Sequence, residues 1–440
     1  MNKRITGLFV IAVMLVSIGL NGCKTSPNTS SGSQNSTVSE ENITLRLFTS
    51  MSDESPASKA FRDRVALFME QNKNITVLDE SINDEASFNN KWKAAVATGN
   101  VPDLFSNYGG AKNKEYARNK VFADISAEVN ADTQWRDAFK PTLLNTWEYS
   151  DIPGIYGIPY EFYATALFYN KDLFAQINSE PPKTLDEFKI VSDKFIAKDI
   201  IPMAIGEKDF FKGTHLFTLL VLKKFGTQIM QDLASRTVKY DSPEIIDIFT
   251  QMNDMNKKGY LGKNIVGVDY NAENALFLNE KTAMHFDGSW FLSEAEGSSI
   301  ASKIGITGFP YYTDKPANKD TWMGGSGAGI SISGAINGNQ RAAAIKLLKF
   351  VTSAEYFQYL QKTTKGGVYP VDFEASASDI GPVTASYITA ISTVKAYSLE
   401  PNIYDLVPAV PVQLENSLQG LFAGGTPEKA AKEIADEAKK

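Results

Sequence analysis

The sequence predicts an α/β fold, because stretches typical of strands alternate with stretches typical of helices. Residues 43–48 alternate between apolar and polar side chains, which predicts the first strand. Ser55 and Pro56 predict the start of a helix, since Ser is a preferred N-cap and Pro suits the first helical position. The next elements are predicted to be a strand, a helix and a short strand, at 75–78, 88–98 and 103–105. This order predicts a mainly parallel sheet.

Later helices have start signals of their own. Thr184 and Glu187 match the capping box, in which each side chain accepts a hydrogen bond from the other residue's backbone. Residues 340–352 are rich in Ala and Leu and predict a further helix, and Thr426 and Pro427 predict the start of the last one. No internal repeat of fixed period is visible, and no apolar stretch after the N-terminal one is long enough to span a membrane.

The N-terminal segment carries targeting information. Two basic residues precede the apolar stretch 5–20, so residues 1–22 are predicted to be a signal peptide. Cys23, the only cysteine, follows directly and resembles the acylated cysteine of a bacterial lipobox. The alternative is an ordinary signal peptide with an incidental cysteine. Residues 23–42 are rich in Ser, Thr and Asn and are predicted to form a disordered tether after the acylated cysteine.

Composition excludes several classes of protein. The chain has 44 Lys and Arg against 51 Asp and Glu, a net charge of -7, which argues against nucleic-acid binding. A single cysteine excludes an internal disulfide and a cysteine zinc cluster. His215 and His285 are the only histidines and are expected to be packing or surface residues. Residues 324–328 miss the nucleophile-elbow pattern because Ala328 replaces its last glycine. We expect no enzyme activity, no metal and no cofactor.

Aromatic residues are abundant and several lie beside small or polar residues. The chain has 18 Tyr, 26 Phe and 5 Trp. Flat rings suit the faces of pyranose sugars, whose axial C–H groups meet the negative face of the ring. Neighbouring Asp, Glu, Asn and Ser side chains supply the donors and acceptors that sugar hydroxyls need. The segments with this character are 106–110, 160–163, 287–290 and 321–325.

A series of short motifs resembles one known family. VPDLF at 101–105, YGIPY at 156–160 and LFYNKDLF at 167–174 resemble segments of the extracellular solute-binding proteins of bacterial ABC importers, in the maltose-binding-protein-like branch. The remaining matching segments follow in the order of the family, at 280–284, 287–290, 308–310, 327–330, 340–352 and 366–370.

The resemblance implies a two-lobed periplasmic-binding-protein fold with a hinge and a central ligand cleft. The lobes are expected to close on the ligand by a population shift. The implied N-terminal lobe is 43–162 plus 306–350, and the implied C-terminal lobe is 163–305 plus 351–440. The implied hinge crossings lie near 162–165, 304–307 and 350–353.

The candidate ligand-binding residues come from these motifs and from strand ends. The resemblance places a stacking aromatic at Trp290 and a ligand contact at Tyr163. If 156–163 is extended, Glu161 and Tyr163 share a face of the strand. Ser50 and Asp53 follow the first strand, where ligands of α/β folds bind. The full set of candidates is Ser50, Asp53, Asn107, Tyr108, Glu161, Tyr163, Phe210, Asp287, Trp290 and Trp322.

The resemblance implies a monomeric, lipid-anchored receptor on the extracellular face of a bacterial membrane, expected to be Gram-positive. It would deliver a carbohydrate, expected to be an oligosaccharide, to the permease subunits of an ABC importer. Two alternatives stay open at this stage. The ligand can be a non-sugar solute such as a polyamine, which several carboxylates around aromatic rings would favour. A secreted glycoside hydrolase would require two carboxylates at catalytic separation.

Overall fold

The computed structural model describes residues 41–110, 113–149, 151–407 and 409–439. The predicted signal peptide, the acylation site Cys23 and the predicted tether up to residue 40 lie outside the described residues. Residues from Asn42 onward form one compact unit. None of the helices in the described ranges combines the length and apolar character needed to cross a bilayer.

The strands of the described residues are short and fall into separate sheets. In chain order they are β1 (Ile43–Phe48), β2 (Ile75–Asp79), β3 (Leu104–Asn107), β4 (Glu148–Tyr149), β5 (Ile152–Ile155), β6 (Ile158–Pro159), β7 (Phe162–Ala164), β8 (Ala166–Asn170), β9 (Ile201–Met203), β10 (Thr282–Asp287), β11 (Ile304–Thr307), β12 (Thr321–Ser326), β13 (Gly329–Ile332) and β14 (Ala396–Ser398).

The α-helices of the described residues surround these sheets. They are α1 (Pro56–Gln71), α2 (Glu85–Thr98), α3 (Lys114–Arg118), α4 (Ser126–Ala131), α5 (Thr133–Asp137), α6 (Pro141–Leu144), α7 (Lys171–Gln176), α8 (Leu185–Ile196), α9 (Phe211–Phe225), α10 (Gln228–Ala234), α11 (Pro243–Lys257), α12 (Tyr270–Leu278), α13 (Leu292–Gly297), α14 (Gly338–Val351), α15 (Ala354–Thr364), α16 (Pro382–Ile391), α17 (Pro401–Tyr404), α18 (Ala409–Phe422) and α19 (Pro427–Glu437).

The predicted helix starts are confirmed. The Ser55 hydroxyl accepts a hydrogen bond of 3.2 Å from the backbone N–H of Ser58, and Pro56 is the first residue of α1. Thr184 and Glu187 form the reciprocal capping box at the start of α8. The Thr426 hydroxyl likewise caps α19. Each of these caps satisfies backbone N–H groups that the first turn of a helix leaves without partners.

The first sheet has the order β2-β1-β3-β13-β6. β1 pairs in parallel with β2 and β3, as the βαβ pattern predicts. β13 pairs antiparallel with both β3 and β6, so the prediction of a mainly parallel sheet holds for its first three strands alone. The reason is topological, because β13 enters the sheet after a long excursion and no local crossover helix fixes its direction.

The second sheet has the order β11-β8-β10-β9. β8 pairs antiparallel with β10 and β11, while β9 and β10 are parallel. A third sheet, β14-β12-β7, connects the two. The chain passes from β6 of the first sheet through β7 to β8 of the second, and returns from β11 through β12 to β13. The third sheet therefore holds two of the connections between the halves of the molecule.

Each of the two large sheets has its own apolar core. The core on the first sheet draws residues from Leu45 to Tyr160 and from Ile330 to Val371. The core on the second sheet draws residues from Tyr163 to Met323 and from Val410 to Ala435. We propose that each lobe follows one of these cores, so that one lobe contains the residues of the first core and the other lobe contains those of the second. The boundaries differ from the sequence-based ones because β11 belongs to the second sheet and α15 packs on the first core.

Candidate functional site

A cleft of about 430 Å³ lies between residues that belong to the two cores. One side is formed by loops that follow β1 and β3 and by the start of α2. The other side is formed by the starts of α9 and α12 and by the turn after β10. The floor consists of the connection between β6 and β7, the connection between β12 and β13, and the segment after α15. Pockets of this size at the carboxyl ends of strands are usual ligand sites of α/β proteins.

The side formed by the first sheet is polar. Ser50 and Asp53 lie in the loop between β1 and α1, and both line the cleft. The Asp53 carboxylate accepts hydrogen bonds from the Ser55 hydroxyl at 2.7 Å and from the Asn83 amide at 3.4 Å. The Tyr108 hydroxyl donates to Glu85 at 3.4 Å. These contacts hold the acceptor oxygens in place before any ligand arrives.

The opposite side is a continuous row of rings, here called the aromatic wall, formed by Tyr163, Trp290, His215, Phe211 and Tyr270. The ring centroids of Tyr163 and Trp290 are 5.4 Å apart, and those of Trp290 and His215 are 6.0 Å apart. His215 then meets Phe211 at 5.2 Å, and Phe211 meets Tyr270 at 5.6 Å. All five side chains line the cleft. Mutual edge and tilted contacts of this kind fix the ring planes.

Glu400 connects two members of the aromatic wall. Its carboxylate accepts a hydrogen bond of 2.8 Å from the Tyr163 hydroxyl and lies 3.0 Å from Nε2 of His215. Burial acts to raise the pKa of Glu400, but the hydrogen bond and the charge of His215 outweigh burial and lower that pKa. Glu400 is therefore an ionised acceptor that sets the orientation of both rings.

Glu161 lies in the floor, where the chain passes from β6 to β7. One of its oxygens accepts a hydrogen bond of 3.2 Å from the backbone N–H of Ala328. Burial raises the pKa of Glu161 against the lowering effect of that bond. Gly327 is required here, because a Cβ atom at that position would lie 2.9 Å from the Glu161 side chain. The close approach of the two connections thus delivers a half-buried carboxylate to the cleft.

Behind the aromatic wall lies a fully buried set of charges, here called the buried charge network: Lys212, Glu273, His285 and Asp287. Lys212 Nζ is 3.1 Å from a Glu273 oxygen and 3.4 Å from an Asp287 oxygen. His285 contacts the same two carboxylates, at 3.1 Å and 2.9 Å. Two cations and two anions therefore balance when His285 is protonated, which is the arrangement that makes buried charges tolerable.

The protonation states follow from this packing. Burial and the charge of Lys212 act to lower the pKa of His285, but its hydrogen bond to Asp287 and its contact with Glu273 raise that pKa overall. Burial acts to raise the pKa of Asp287, but Lys212 and His285 lower it far below its usual range. Both shifts favour the charged forms of His285 and Asp287.

The network supports the aromatic wall from behind. The Tyr270 hydroxyl donates to Asp287 Oδ2 at 2.9 Å, and the backbone N–H of Gly288 donates to Asp287 Oδ1 at 2.9 Å. Gly288 begins the turn that presents Trp290. Asp287 therefore fixes two parts of the wall without lining the cleft itself.

The structure brings most of the predicted residues together. The predicted residues that line the cleft are Ser50, Asp53, Tyr108, Glu161, Tyr163 and Trp290. Their roles as ligand contacts stay predictions.

The other four predicted residues do not line the cleft. The Asn107 side chain makes hydrogen bonds within the protein. Its Nδ2 donates to the Ser331 hydroxyl on β13 at 2.8 Å, and its Oδ1 accepts from the backbone N–H of Gly109 at 3.1 Å. Phe210 has a positive φ of 69° before α9, and its neighbour Phe211 is the residue that reaches the cleft. Asp287 is buried in the charge network described above. Trp322 is 4 % exposed and packs in an apolar cluster with Phe168 and Tyr387.

Sequence reasoning missed several residues of the cleft. His215 is packed between Phe211 and Trp290, as expected of a packing residue, but it also lines the cleft. Phe211 and Tyr270 open α9 and α12, and their sequence neighbourhoods give no signal beyond an aromatic at a helix start. Glu400 precedes α17, far from every motif of the family resemblance. Within the described ranges, no group of three or more His, Cys, Asp or Glu side chains is arranged to hold a metal ion.

Comparison with known proteins assigns the family. The model of the bacterial extracellular solute-binding proteins matches residues 50–356. The chain belongs to this family. Because its members and relatives are binding proteins, the prediction of a receptor in place of an enzyme is confirmed.

Two related proteins have names that mention a sugar. The multiple sugar-binding protein of Streptococcus mutans is 24% identical over 356 residues, which are 79% of this chain and 78% of that protein. The maltotriose-binding protein of Pyrococcus abyssi is 25% identical over 62% of this chain and 55% of its own.

Solved structures confirm the predicted two-lobed fold. A chitin oligosaccharide binding protein superposes with a TM-score of 0.82 at 25% identity, covering 90% of this chain and 98% of its own. A sugar transporter from Bacillus licheniformis, solved in complex with stachyose, superposes with a TM-score of 0.72 at 18% identity, over 90% of this chain and 98% of its own.

Proposed function

We propose that this solute-binding protein captures a carbohydrate, an oligosaccharide of a few units, in the cleft and delivers it to an ABC importer. The observation that carries the proposal is the aromatic wall, which faces a polar side across a cleft of about 430 Å³. Stacked rings bind the apolar faces of sugar units, and the polar side offers acceptors for their hydroxyls.

The arrangement of groups fits a polyhydroxylated ligand better than an apolar one. Asp53, Glu161 and Glu400 are held by hydrogen bonds to the protein, each in a defined position. An acceptor that is already oriented loses little freedom when a sugar hydroxyl donates to it. The names of the relatives, which mention multiple sugars, maltotriose and chitin oligosaccharide, agree with this chemistry.

The delivery step follows from the family and needs no covalent chemistry. The lobes would close on the sugar, and the closed monomer would dock on the permease subunits of the importer. A ligand drives closure only to the extent that it binds the closed state more tightly than the open one. Contacts with both sides of the cleft provide that difference, since residues of the two cores line it.

A ligand screen tests the proposal. In a chain that starts at Lys24, we expect oligosaccharides of glucose, galactose or glucosamine units to raise the melting temperature, and spermidine to leave it unchanged. A ligand at about 100 times its Kd adds about 2.7 kcal/mol to the free energy of unfolding. Stabilisation by spermidine and by none of the sugars would contradict the proposal.

We further propose that Cys23 carries lipid and holds the receptor on the outer face of a Gram-positive membrane. Stable anchoring needs more than one acyl chain, and diacylation at Cys23 would supply two. In a Gram-positive host, we expect an alkyne palmitate analogue to label the wild-type protein. The Cys23→Ala variant should carry no label and should be released into the medium. Ser26→Ala is the matched control and should keep the label. Labelling of Cys23→Ala at the wild-type level would exclude this anchor.

A further inference from the structure

Most of the charged residues that line the cleft are acidic. Carboxylates come from every part of the lining, and among the described lining residues there is neither a lysine nor an arginine. Glu400 is paired with His215, and Asp269 lies 3.3 Å from Lys208, whose ammonium is exposed outside the lining. The cleft as a whole therefore has a negative potential, which focuses inside a concave site of low dielectric constant.

Three of these carboxylates are half-buried and accept hydrogen bonds from neutral donors. Glu161 accepts from the backbone N–H of Ala328 at 3.2 Å. Asp209 accepts from the backbone N–H of Tyr270 at 2.9 Å, and Glu294 accepts from the Asn274 amide at 3.0 Å. No ion pair involves these three residues in the described part of the chain. Burial raises the pKa of each of them, because it removes part of the solvation of their charge.

Two buried polar atoms in the lining independently point to a ligand. The Ser326 hydroxyl belongs to a residue that is 4 % exposed, and it has no hydrogen-bond partner among the described residues. Nδ1 of His215, a residue that is 8 % exposed, also lacks one. Buried polar groups are nearly always satisfied, and both residues line the cleft. A ligand with several polar groups would satisfy them.

Closure of the lobes on a ligand raises the desolvation cost of the negative charges in the cleft. Expelling water from Glu161, Asp209 and Glu294 removes solvation that a neutral sugar hydroxyl replaces only in part. An ammonium group replaces it with a charge-assisted hydrogen bond, which is about twice as strong as a neutral one. The aromatic wall also favours a cation, because the face of an indole or phenol ring attracts positive charge.

We propose that the ligand of the cleft is an amino sugar, an oligosaccharide in which at least one unit carries a free ammonium group. The inference rests on the proposed carbohydrate function and narrows its substrate class. Glu161, Asp209 and Glu294 are the carboxylates that balance the ammonium charge. A linear polyamine would meet the same charges but would leave the aromatic wall without a sugar face to stack on.

Four probes separate these possibilities by titration calorimetry. Cellobiose, chitosan disaccharide and N,N′-diacetylchitobiose share one linkage and differ at C2 of each unit, which carries a hydroxyl, an amine or an acetamide group, respectively. Spermidine is the linear amine. We expect chitosan disaccharide to bind at least about tenfold more tightly than the two neutral disaccharides, because only its amine pairs with carboxylate. This advantage should shrink between about 20 mM and about 200 mM salt.

Variants assign the effect to the cleft. Glu161→Gln keeps the shape of the side chain and removes its charge, so it should lower the affinity for chitosan disaccharide about tenfold more than it lowers the affinity for cellobiose. Glu70→Gln is the matched control, since Glu70 is exposed on α1 and does not line the cleft.

The outcomes distinguish the two proposals. Equal or tighter binding of cellobiose or N,N′-diacetylchitobiose would overturn the amino-sugar inference and leave the carbohydrate function in place. Binding of spermidine alone would overturn both, as would binding of none of the four probes together with a negative oligosaccharide screen. An unchanged affinity of Glu161→Gln for chitosan disaccharide would also overturn the inference.

Discussion

Replacing Trp290 with alanine is expected to weaken carbohydrate binding by at least about tenfold, while the protein stays folded. Trp290 lies within the aromatic wall, with Tyr163 on one side and His215 on the other. It is half-buried and lines the cleft, so part of its ring is accessible to a sugar unit. Tryptophans at the centre of an interface commonly cost about 2 kcal/mol or more when truncated, which exceeds a tenfold change. Titration calorimetry with an oligosaccharide from the screen measures the loss.

Trp92→Ala is the matched control for this change. Trp92 is also half-buried and packed among rings, with Phe105 at 4.5 Å, but it lies outside the cleft. We expect Trp92→Ala to lower stability and leave affinity unchanged. Trp290→Phe should recover part of the affinity, since a smaller ring still stacks. An unchanged affinity in folded Trp290→Ala would remove this residue from the binding site.

The second large effect is expected from Lys212→Met. Lys212 is fully buried, lies within 3.4 Å of both carboxylates of the buried charge network and donates to the Phe286 carbonyl at 2.9 Å. Methionine fills a similar volume but leaves Glu273 and Asp287 with His285 as their only charged partner. Removing one member of a buried ion pair commonly costs about 3–5 kcal/mol, because the remaining charge stays buried. Guanidinium unfolding should show a loss of this size in the free energy of unfolding.

Lys208→Met provides the comparison, because it is the same substitution four residues earlier. Lys208 lies 3.3 Å from Asp269, and both side chains are well exposed. Exposed pairs contribute about 0–1 kcal/mol, so this variant should unfold almost like the wild type. Losses of similar size in the two variants would show that the buried charge network does not stabilise the fold as its geometry implies.

Local signals in the sequence predicted the elements well. The caps at Ser55, Thr184 and Thr426 were predicted correctly, since an N-cap depends on a few adjacent residues. The first strands and helices were predicted within a few residues, because their apolar spacing is a property of the segment itself. The direction of β13 was not predictable in this way, since its partner β3 lies far away in the sequence.

In the candidate site, too, local sequence patterns predict some features and long-range packing decides others. Trp290 and Trp322 have similar neighbours in the sequence, yet Trp290 lines the cleft and Trp322 packs in an apolar cluster. Asn107 and Tyr108 are adjacent, but the amide holds a turn while the phenol ring lines the cleft. Which way a side chain points at a strand end depends on what the rest of the chain packs against it.

The sequence by itself determined the family, the α/β character, the helix caps and the presence of aromatic and acidic residues suited to a sugar. The tertiary structure decided which of them meet. The aromatic wall needs segments around 163, 215, 270 and 290, and Glu400 comes from a fifth. The buried charge network likewise joins Lys212 and Glu273 to the strand that holds His285 and Asp287. Local patterns encode periodicity and capping, whereas contacts between distant segments depend on how the two cores pack and on where the connections between them cross.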